Sequence, residues 1–556
     1  MSAAAHDVIV VGSGAGGGAS AYRLALAGVK VLNLEYGPPI DEEDLGSFES
    51  YSDALPRLGY AELRRRTQRP GPGSWKRSKY FLYPEDEPFT TEGEGWYWRR
   101  YRNLGGRTTW WAGVAPRLSP LDFHEAELDG FGSSWPIRYQ DVLPYYDWID
   151  ENLGRVGASE DHPDCPAGKP QPPQGLRCGE KIVQAACQRL SREFPLLRYS
   201  HSPKMIATRE MGPGRSPCHY IGNCMEGCRG GAKYQANMHL YPRALASGNL
   251  TLRTNAAVVE VLVDKDSGRA SGVRYVDRAT GEHHQARAKA VVVAASTIES
   301  PRLLLASKST TYPGGIANGS GHVGKHLNDH VQCSVIGYLP QLFGHASYND
   351  DGYTFGVMIP RFSRSDQQKQ GFIRGWEGRS GSGKGIDAQV PGFGASLKQG
   401  IRDHYQARIS LLGFGAKLDN PKTFVELDPS GRKDAYGVPI AKIHSAYCDN
   451  DLAIFADIKQ KYVQILEQAG AVAIRPSAAP ALPGTSEHEV GTCRMTKDPK
   501  QGVCDGFGRS HEVKNLFLAD GSVFTQQTDK SPTLTIIALA LRQADFIVET
   551  LKRGEL

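Results

Sequence analysis

Two sets of residues in this 556-residue chain have the types and spacing to do chemistry. The first is Cys218, Cys224 and Cys228, a C-x5-C-x3-C run inside CHYIGNCMEGCRGGAKY. Gly222, Gly227, Gly230 and Gly231 make that loop permissive, so three thiolates there can converge on one iron cluster. A disulfide with a spare thiol, or a zinc site using His219 as fourth ligand, fits the spacing equally well. The other seven cysteines are scattered and read as buried or free thiols. The second set opens the chain, DVIVVGSGAGGGASAYRLALAGVKVLNLEYG. Gly12, Gly14 and Gly17 are spaced G-x-G-x-x-G, with Ser13, Ala15 and Gly16 between them. Glycines at this spacing let the backbone turn tightly, approach a pyrophosphate and pack a helix on a strand. The helix start then offers free N–H groups to the phosphates. Glu35, about twenty residues on, stands where an acid accepts hydrogen bonds from a ribose.

Those glycines carry weight only if the right elements flank them. Val8 to Val11 is a continuous apolar run suited to a strand buried on both faces. A helix-length run, AYRLALAG, follows, and Lys30 to Leu34 is a second apolar run ending at Glu35. Strand, glycine turn, helix, strand and acid in this order predict a nucleotide-binding βαβ unit. AKAVVVAASTIESPRLLLAS repeats the apolar-strand-to-helix pattern, so the nucleotide domain is expected to resume there. Residues 250–262 and 271–277 read as strands joined by a turn.

GWYWRRYRNLGGRTTWWAGVAPRLSPLDF is aromatic and glycine-rich, and Gly105-Gly106 within it could wrap a planar cofactor. Residues 38–100 read as surface loops and a covering segment. WPIRYQDVLPYYDWIDENLG reads as an aromatic helix, and 156–180 as a Pro/Gly-rich connector. Between about 336 and 480, short alternating segments (YTFGVMIPRF, ARISLLGFG, TFVELD, IAKIHSAY) predict an antiparallel sheet. NLFLADGSVF and SPTLTIIALALRQADFIVETL predict a strand, a loop and a long helix starting near Pro532.

At 556 residues the chain is too long for one core and predicts two or three domains. A net charge of +5 over this length is close to neutral and argues for neither nucleic acid nor a membrane surface. No apolar run reaches the ~18–20 residues of a membrane span. The first strand begins so early that no signal peptide of its own is expected.

Taken in order, the N-terminal unit, GGRTTWWAG, ASTIESPRLLLAS, GHVGKHLNDH, HEVGTCRM and NLFLADGSVF…SPTLTIIALALR resemble the glucose–methanol–choline (GMC) flavin oxidoreductases. CHYIGNCMEGCRGGAKY, YVDRATGE and WPIRYQDVLPYYD narrow the resemblance to bacterial three-component sugar dehydrogenases, above all the glucoside 3-dehydrogenase type. The implied fold is α/β: a Rossmann-like FAD-binding domain with a second α+β substrate domain built on an antiparallel sheet. The expected division is 1–135 (FAD-binding), 136–245 (connector and cysteine loop), 246–335 (FAD-binding), 336–484 (substrate-binding) and 485–556 (FAD-binding, with the catalytic motif). The resemblance implies FAD contacts at Gly105, Gly106, Thr108, Trp111, Ala112, Gly113, Val258, Ala295, Asp520, Gly521, Thr533 and Leu534, besides the first glycine turn.

An alcohol yields hydride readily only if its O–H proton leaves as the C–H bond breaks, which calls for a base beside the flavin. His488, preceding GTCRM, matches the family's catalytic histidine. The family usually places a second His or Asn where this chain has Ser531. Relatives that tether FAD covalently carry a histidine in the segment matching TTWW; Trp110 here predicts non-covalent FAD. The resemblance also implies a [3Fe–4S] cluster on Cys218, Cys224 and Cys228, a small subunit with a twin-arginine signal, and a cytochrome c acceptor. The expected activity is oxidation of a secondary alcohol of a sugar or glycoside, the 3-hydroxyl of a pyranoside first. Alternatives are an oxygen-using sugar oxidase, a glucose 1-dehydrogenase or gluconate 2-dehydrogenase, and a non-catalytic flavin electron-transfer subunit. The expected location is the periplasm, reached folded with the partner subunit, against a self-sufficient cytoplasmic enzyme.

Overall fold

Four apolar residues in a row with no polar alternate need a sheet covered on both sides. In the computed structural model, which describes residues 6–46, 75–158, 162–212, 215–345, 355–362, 371–383 and 390–556, Val8–Val11 is the middle of a five-stranded parallel sheet. Its order is Leu516–Leu518, Ala290–Val293, Val8–Val11, Val31–Leu34, Leu250–Arg253. The helix Ala15–Leu26 follows the first strand and packs on the C-terminal helix Thr533–Lys552. The Arg23–Asp545 ion pair joins the two helices at their edge. Segments from the start, middle and end of the chain thus meet in one sheet.

A second, six-stranded sheet has the order Val472–Pro476, His330–Tyr338, Arg408–Ala416, Trp376–Gly383, Val357–Ile359, Ser200–His201. Its strands pair antiparallel. Residues on a strand alternate between faces, and here the two faces differ in kind. One face, with Val331, Cys333, Val335, Leu411 and Trp376, packs on the helix Asp449–Gln468 through Ile454, Ile458 and Tyr462. Glycines let that helix approach closely. A Cβ on Gly413 would stand 2.4 Å from Ile458 Cγ2, and one on Gly378 would stand 1.9 Å from the Tyr462 hydroxyl. Gln332, Phe414 and Glu377 are in register on the other face, as are Leu412 and Arg379.

The antiparallel sheet expected after residue 336 forms, with three differences. It starts earlier, with Ser200–His201 and then His330–Tyr338, and it contains the unanticipated strand Trp376–Gly383. TFVELD and IAKIHSAY supply Phe424–Leu427 and Ala441–Ser445 to a separate three-stranded sheet, in which Ala441–Ser445 runs parallel to Thr90–Gly93. Residues 250–262 are two strands rather than one. Asn255, at φ 57°, breaks the run, so that Leu250–Arg253 extends the parallel sheet while Ala256–Val263 joins Ala270–Asp277 and His283–Arg287. Among the described residues no helix is long and apolar enough to cross a membrane.

Candidate active site

The glycine turn is built by exclusion. Gly12 has φ +96°, and a Cβ there would stand 2.4 Å from the Ala294 carbonyl oxygen. A Cβ on Gly17 would stand 2.2 Å from the Gly12 carbonyl oxygen, so only glycine lets the helix sit this close to the strand. Nothing lies within 4 Å of a Cβ built on Gly14, which leaves its backbone open to a ligand. Ser13 fastens this turn to its surroundings. Its N–H and Oγ both donate to Glu35 Oε2, at 3.0 and 2.5 Å, and its Oγ accepts from the Gly105 N–H at 2.9 Å. The other Glu35 oxygen accepts from the Gly37 N–H at 2.7 Å. Burial pushes the Glu35 carboxyl upward, and these donors oppose it. The second glycine turn is thereby hung on the first.

Both turns border a cavity of about 470 Å³, within the usual range for a ligand site. Of the sequence-predicted residues, Gly12, Ser13, Gly14, Ala15, Gly16, Glu35, Gly106, Thr108, Trp111, Ala112, Val258 and Ala295 line it. So do His488, Asp520, Gly521, Ser531 and Thr533. Gly17, Gly105, Gly113 and Leu534 do not. Gly17 and Gly105 shape the two turns from behind, and Leu534 is fully buried in the core. Asp520 accepts from Ser296 N–H (3.0 Å), Ser300 Oγ (2.5 Å) and Ser522 N–H (2.8 Å), which locks that corner. Trp110 is buried, donates to Asn103 Oδ1 at 2.8 Å and stacks on Tyr80.

At the other end of the cavity His488 is enclosed. Its ring meets His330 edge-on at a centroid distance of 5.0 Å and Phe414 at 5.7 Å. Its N–H donates to Asp329 Oδ1 (3.3 Å) and its carbonyl accepts from Gln527 (3.0 Å). Its Nδ1 is buried without a hydrogen-bond partner. Burial first, then His330, Arg379 and Arg107, hold its pKa well below the ordinary histidine value. His488 is therefore a neutral imidazole at neutral pH, able to take a proton. Ser531, Pro532 and Thr533 bring the start of the Thr533–Lys552 helix to the same cavity, where its partial positive charge favours a negative ligand group.

Several lining residues have no forerunner in the sequence analysis. Trp98, Arg100, Tyr101 and Arg102 come from the aromatic, glycine-rich stretch in which only Gly105-Gly106 and the residues after them are expected to meet a cofactor. Arg102 and Arg302 both pair with partly buried Glu299, and Arg302 also pairs with Asp434. Burial raises the Glu299 carboxyl, but Arg302 and Arg102 outweigh it and hold the pKa at about 2. Gln332, Arg379, Leu412 and Phe414 come from the site-facing side of the six-stranded sheet. A charge pattern read across four distant segments was the one signal available, and no single segment displays it.

Cys218, Cys224 and Cys228 are all free, partly exposed thiols outside the cavity, although Met225 between them lines it. The Tyr220 N–H points at Cys218 Sγ (3.3 Å) and the Lys233 N–H at Cys228 Sγ (3.4 Å). Lys233 is buried, and its Nζ donates to the Thr109, Trp111 and Cys224 carbonyls at 2.8, 2.9 and 2.7 Å, tying this loop to the GGRTTWW turn. The donor set is chemically suited to iron and sulfide. Its side chains do not converge, however: among the described residues no three His, Cys, Asp or Glu side chains form a group that could hold a metal ion.

Two family models described as GMC oxidoreductase match the chain, at residues 200–332 and 419–540. A 2-methyl-1,2-propanediol dehydrogenase from Mycolicibacterium austroafricanum is 31% identical, over 97% of this chain and 95% of its own. The fructose dehydrogenase large subunit of Gluconobacter japonicus is 26% identical, over 99% of this chain and 98% of its own. The crystal structure of a pyridoxine 4-oxidase from Mesorbium loti superposes with a TM-score of 0.62 at 18% identity, covering 97% of this chain and 99% of that one, which speaks to the fold alone. By these matches the chain belongs to the GMC oxidoreductase family, flavoprotein enzymes that oxidise CH–OH groups.

Proposed function

We propose that this protein is a dehydrogenase that oxidises a secondary alcohol of a sugar or glycoside, the 3-hydroxyl of a pyranoside first, with His488 as the base. The observation that carries the reading is the enclosed, neutral His488 on the same cavity as the Ser13–Glu35 cradle. FAD fits that cradle: the open backbone at Gly14, the Glu35 carboxylate and the helix start at Thr533 suit its pyrophosphate, ribose and ring system respectively. Trp110 stands at the segment where tethering relatives carry histidine, so the cofactor is held without a covalent bond. Bound FAD supplies the two-electron acceptor for the substrate hydrogen. The chain's part is to hold the substrate carbinol at His488, take its hydroxyl proton there and keep water out.

Cys218, Cys224 and Cys228 would be the thiolates to hold a [3Fe–4S] cluster, once the loop drew them together, and such a cluster would supply one-electron transfer to a cytochrome c, in a periplasmic complex with a small subunit bearing a twin-arginine signal. Support for this finer reading is the trio of free thiols, the two N–H···S contacts, the buried Lys233 beside them and a relative that is itself a large subunit. An oxygen-using sugar oxidase is the second reading.

The test takes purified holoprotein with methyl β-D-glucopyranoside, D-glucose, D-fructose, gluconate and 1,2-propanediol, following a dye acceptor and peroxide. Turnover of a pyranoside without peroxide is expected. His488→Ala should slow flavin reduction by roughly 10²–10⁴-fold with flavin content unchanged. A His488→Ala variant reduced within a few-fold of wild type refutes the base assignment, and peroxide matching turnover refutes the dehydrogenase.

A further inference from the structure

The family pattern leaves Ser531 as the partner of His488, and a neutral, 4% exposed serine hydroxyl is a weak stabiliser of negative charge. The structure puts a cation there instead. Arg379 is 2% exposed and borders the cavity together with His488, Ser531 and Phe414. It comes from the site-facing side of the strand Trp376–Gly383, two residues beyond Glu377, so both side chains share that face. Its guanidinium pairs with the Glu377 carboxylate, donates through Nη2 to Ser531 Oγ at 3.4 Å and through Nη1 to the Gly378 carbonyl at 3.3 Å, and lies 5.7 Å from the Phe414 ring centroid. The other nearby cations are held elsewhere. Both terminal nitrogens of Arg107 bond Glu489, and Lys530 is gripped by Asp122 and Asp529, neither of which borders the cavity.

We propose that Arg379 is the second catalytic group of this site, stabilising the negative charge that develops on the substrate oxygen as His488 removes its proton. The assignment rests on the alcohol-oxidation reading above. In the step it serves, the substrate O–H bond breaks with its proton passing to His488. The carbinol C–H bond breaks with its electron pair and hydrogen passing to the FAD named above, and the C=O bond forms. Fixed cationic donors aimed at a developing oxyanion in a water-poor site are among the largest single contributions to such barriers. Ser531 then serves as a hydroxyl already oriented by Arg379. A polyol substrate, dense in hydroxyls, suits a guanidinium that presents several donors in one plane.

The decisive variant is Arg379→Gln/Glu377→Gln, which removes both members of the buried pair and leaves no orphaned carboxylate. The probe is whichever of the five compounds named above wild type turns over fastest. Rapid-mixing flavin reduction should fall about 10²–10³-fold, while FAD content and reduction by dithionite stay unchanged. Arg379→Lys should regain part of the rate by keeping the charge. The acid limb of the reduction rate should also move to higher pH. The groups around His488 are His330, Arg379, Arg107, Asp329 and Glu377, and removing one of the cations that depress it raises its pKa. The shift of the limb follows from the charge of Arg379 alone; a merely structural Arg379 gives no rate rescue by Lys.

Reduction of the double variant within threefold of wild type, with His488→Ala disabled, overturns the Arg379 assignment and leaves the alcohol-oxidation reading standing. An active His488→Ala instead removes that reading. If the double variant does not retain FAD, Glu377→Gln alone decides. A rate within a few-fold of wild type, with the cation still in place, supports the proposal, and a loss as deep as any Arg379 substitution overturns it.

Discussion

Ser13→Ala removes one oxygen that serves two partners. In the wild type that hydroxyl donates to Glu35 Oε2 at 2.5 Å and accepts from Gly105 N–H at 2.9 Å, with Ser13 wholly buried. A hydrogen bond to a carboxylate contributes about 1.5–3 kcal/mol, and a buried N–H left without an acceptor costs about 1–3 kcal/mol. Glu35 keeps the N–H groups of Ser13 and Gly37, so the lower part of the first range applies. The expected loss is about 3 kcal/mol in total. Part of it falls on the hold between the two glycine turns that flank the cofactor cavity. If half or more does, the FAD dissociation constant rises by about 10–100-fold. The assay is flavin titration of the apoprotein by fluorescence quenching, beside urea unfolding of the apo form. Ser13→Ala with FAD affinity within threefold of wild type and an unchanged urea midpoint would refute the claim that Ser13 couples the turns.

Two further outcomes are expected. Gly415→Ala places a methyl group 2.4 Å from Ile454 Cγ2 and 2.6 Å from Val331 Cγ1; the overpacking should destabilise the protein by about 1–3 kcal/mol, seen as a lower urea midpoint. Replacing Cys218, Cys224 and Cys228 together by serine should leave flavin reduction by sugar largely intact, remove bound iron and abolish electron delivery to cytochrome c. Iron analysis and low-temperature paramagnetic resonance of oxidised wild type check the premise, and a wild type without iron ends the cluster reading.

The sequence was most legible where function depends on neighbours along the chain. The first glycine turn is one such place: Gly12, Gly14, Gly17 and Glu35 lie within one supersecondary unit, and each glycine has a local steric reason. The Thr533–Lys552 helix is another, since an apolar run opened by Pro532 declares its own start. Legibility failed where a residue's task is set by a partner far away in sequence. Arg102, Glu299, Arg302 and Asp434 form one partly buried charge chain from three segments, and each segment alone looks like ordinary surface charge. Leu250–Arg253 and Ala256–Val263 read as one strand because Asn255 carries no steric flag, although its left-handed conformation sends the chain from one sheet to another.

The strand Trp376–Gly383 shows the same failure most clearly, and explains why the substrate side of this enzyme is hard to read. A half-buried strand ordinarily declares itself by apolar residues facing the core and polar ones facing water. Here the core face must admit the Asp449–Gln468 helix at close range, so Gly378 stands where an apolar side chain would be expected. The opposite face borders a reaction cavity rather than water, so it carries Glu377 and Arg379, fully buried. WEGRSGSG therefore has the composition of a loop while it is the third strand from one edge of the sheet and an internal one. Buried charge on a strand is costly unless paired and hydrogen-bonded, and Arg379 is both, through Glu377 and Ser531. The pattern that hides the strand from a reading of the sequence is thus the same pattern that makes it a wall of the cavity bordered by His488.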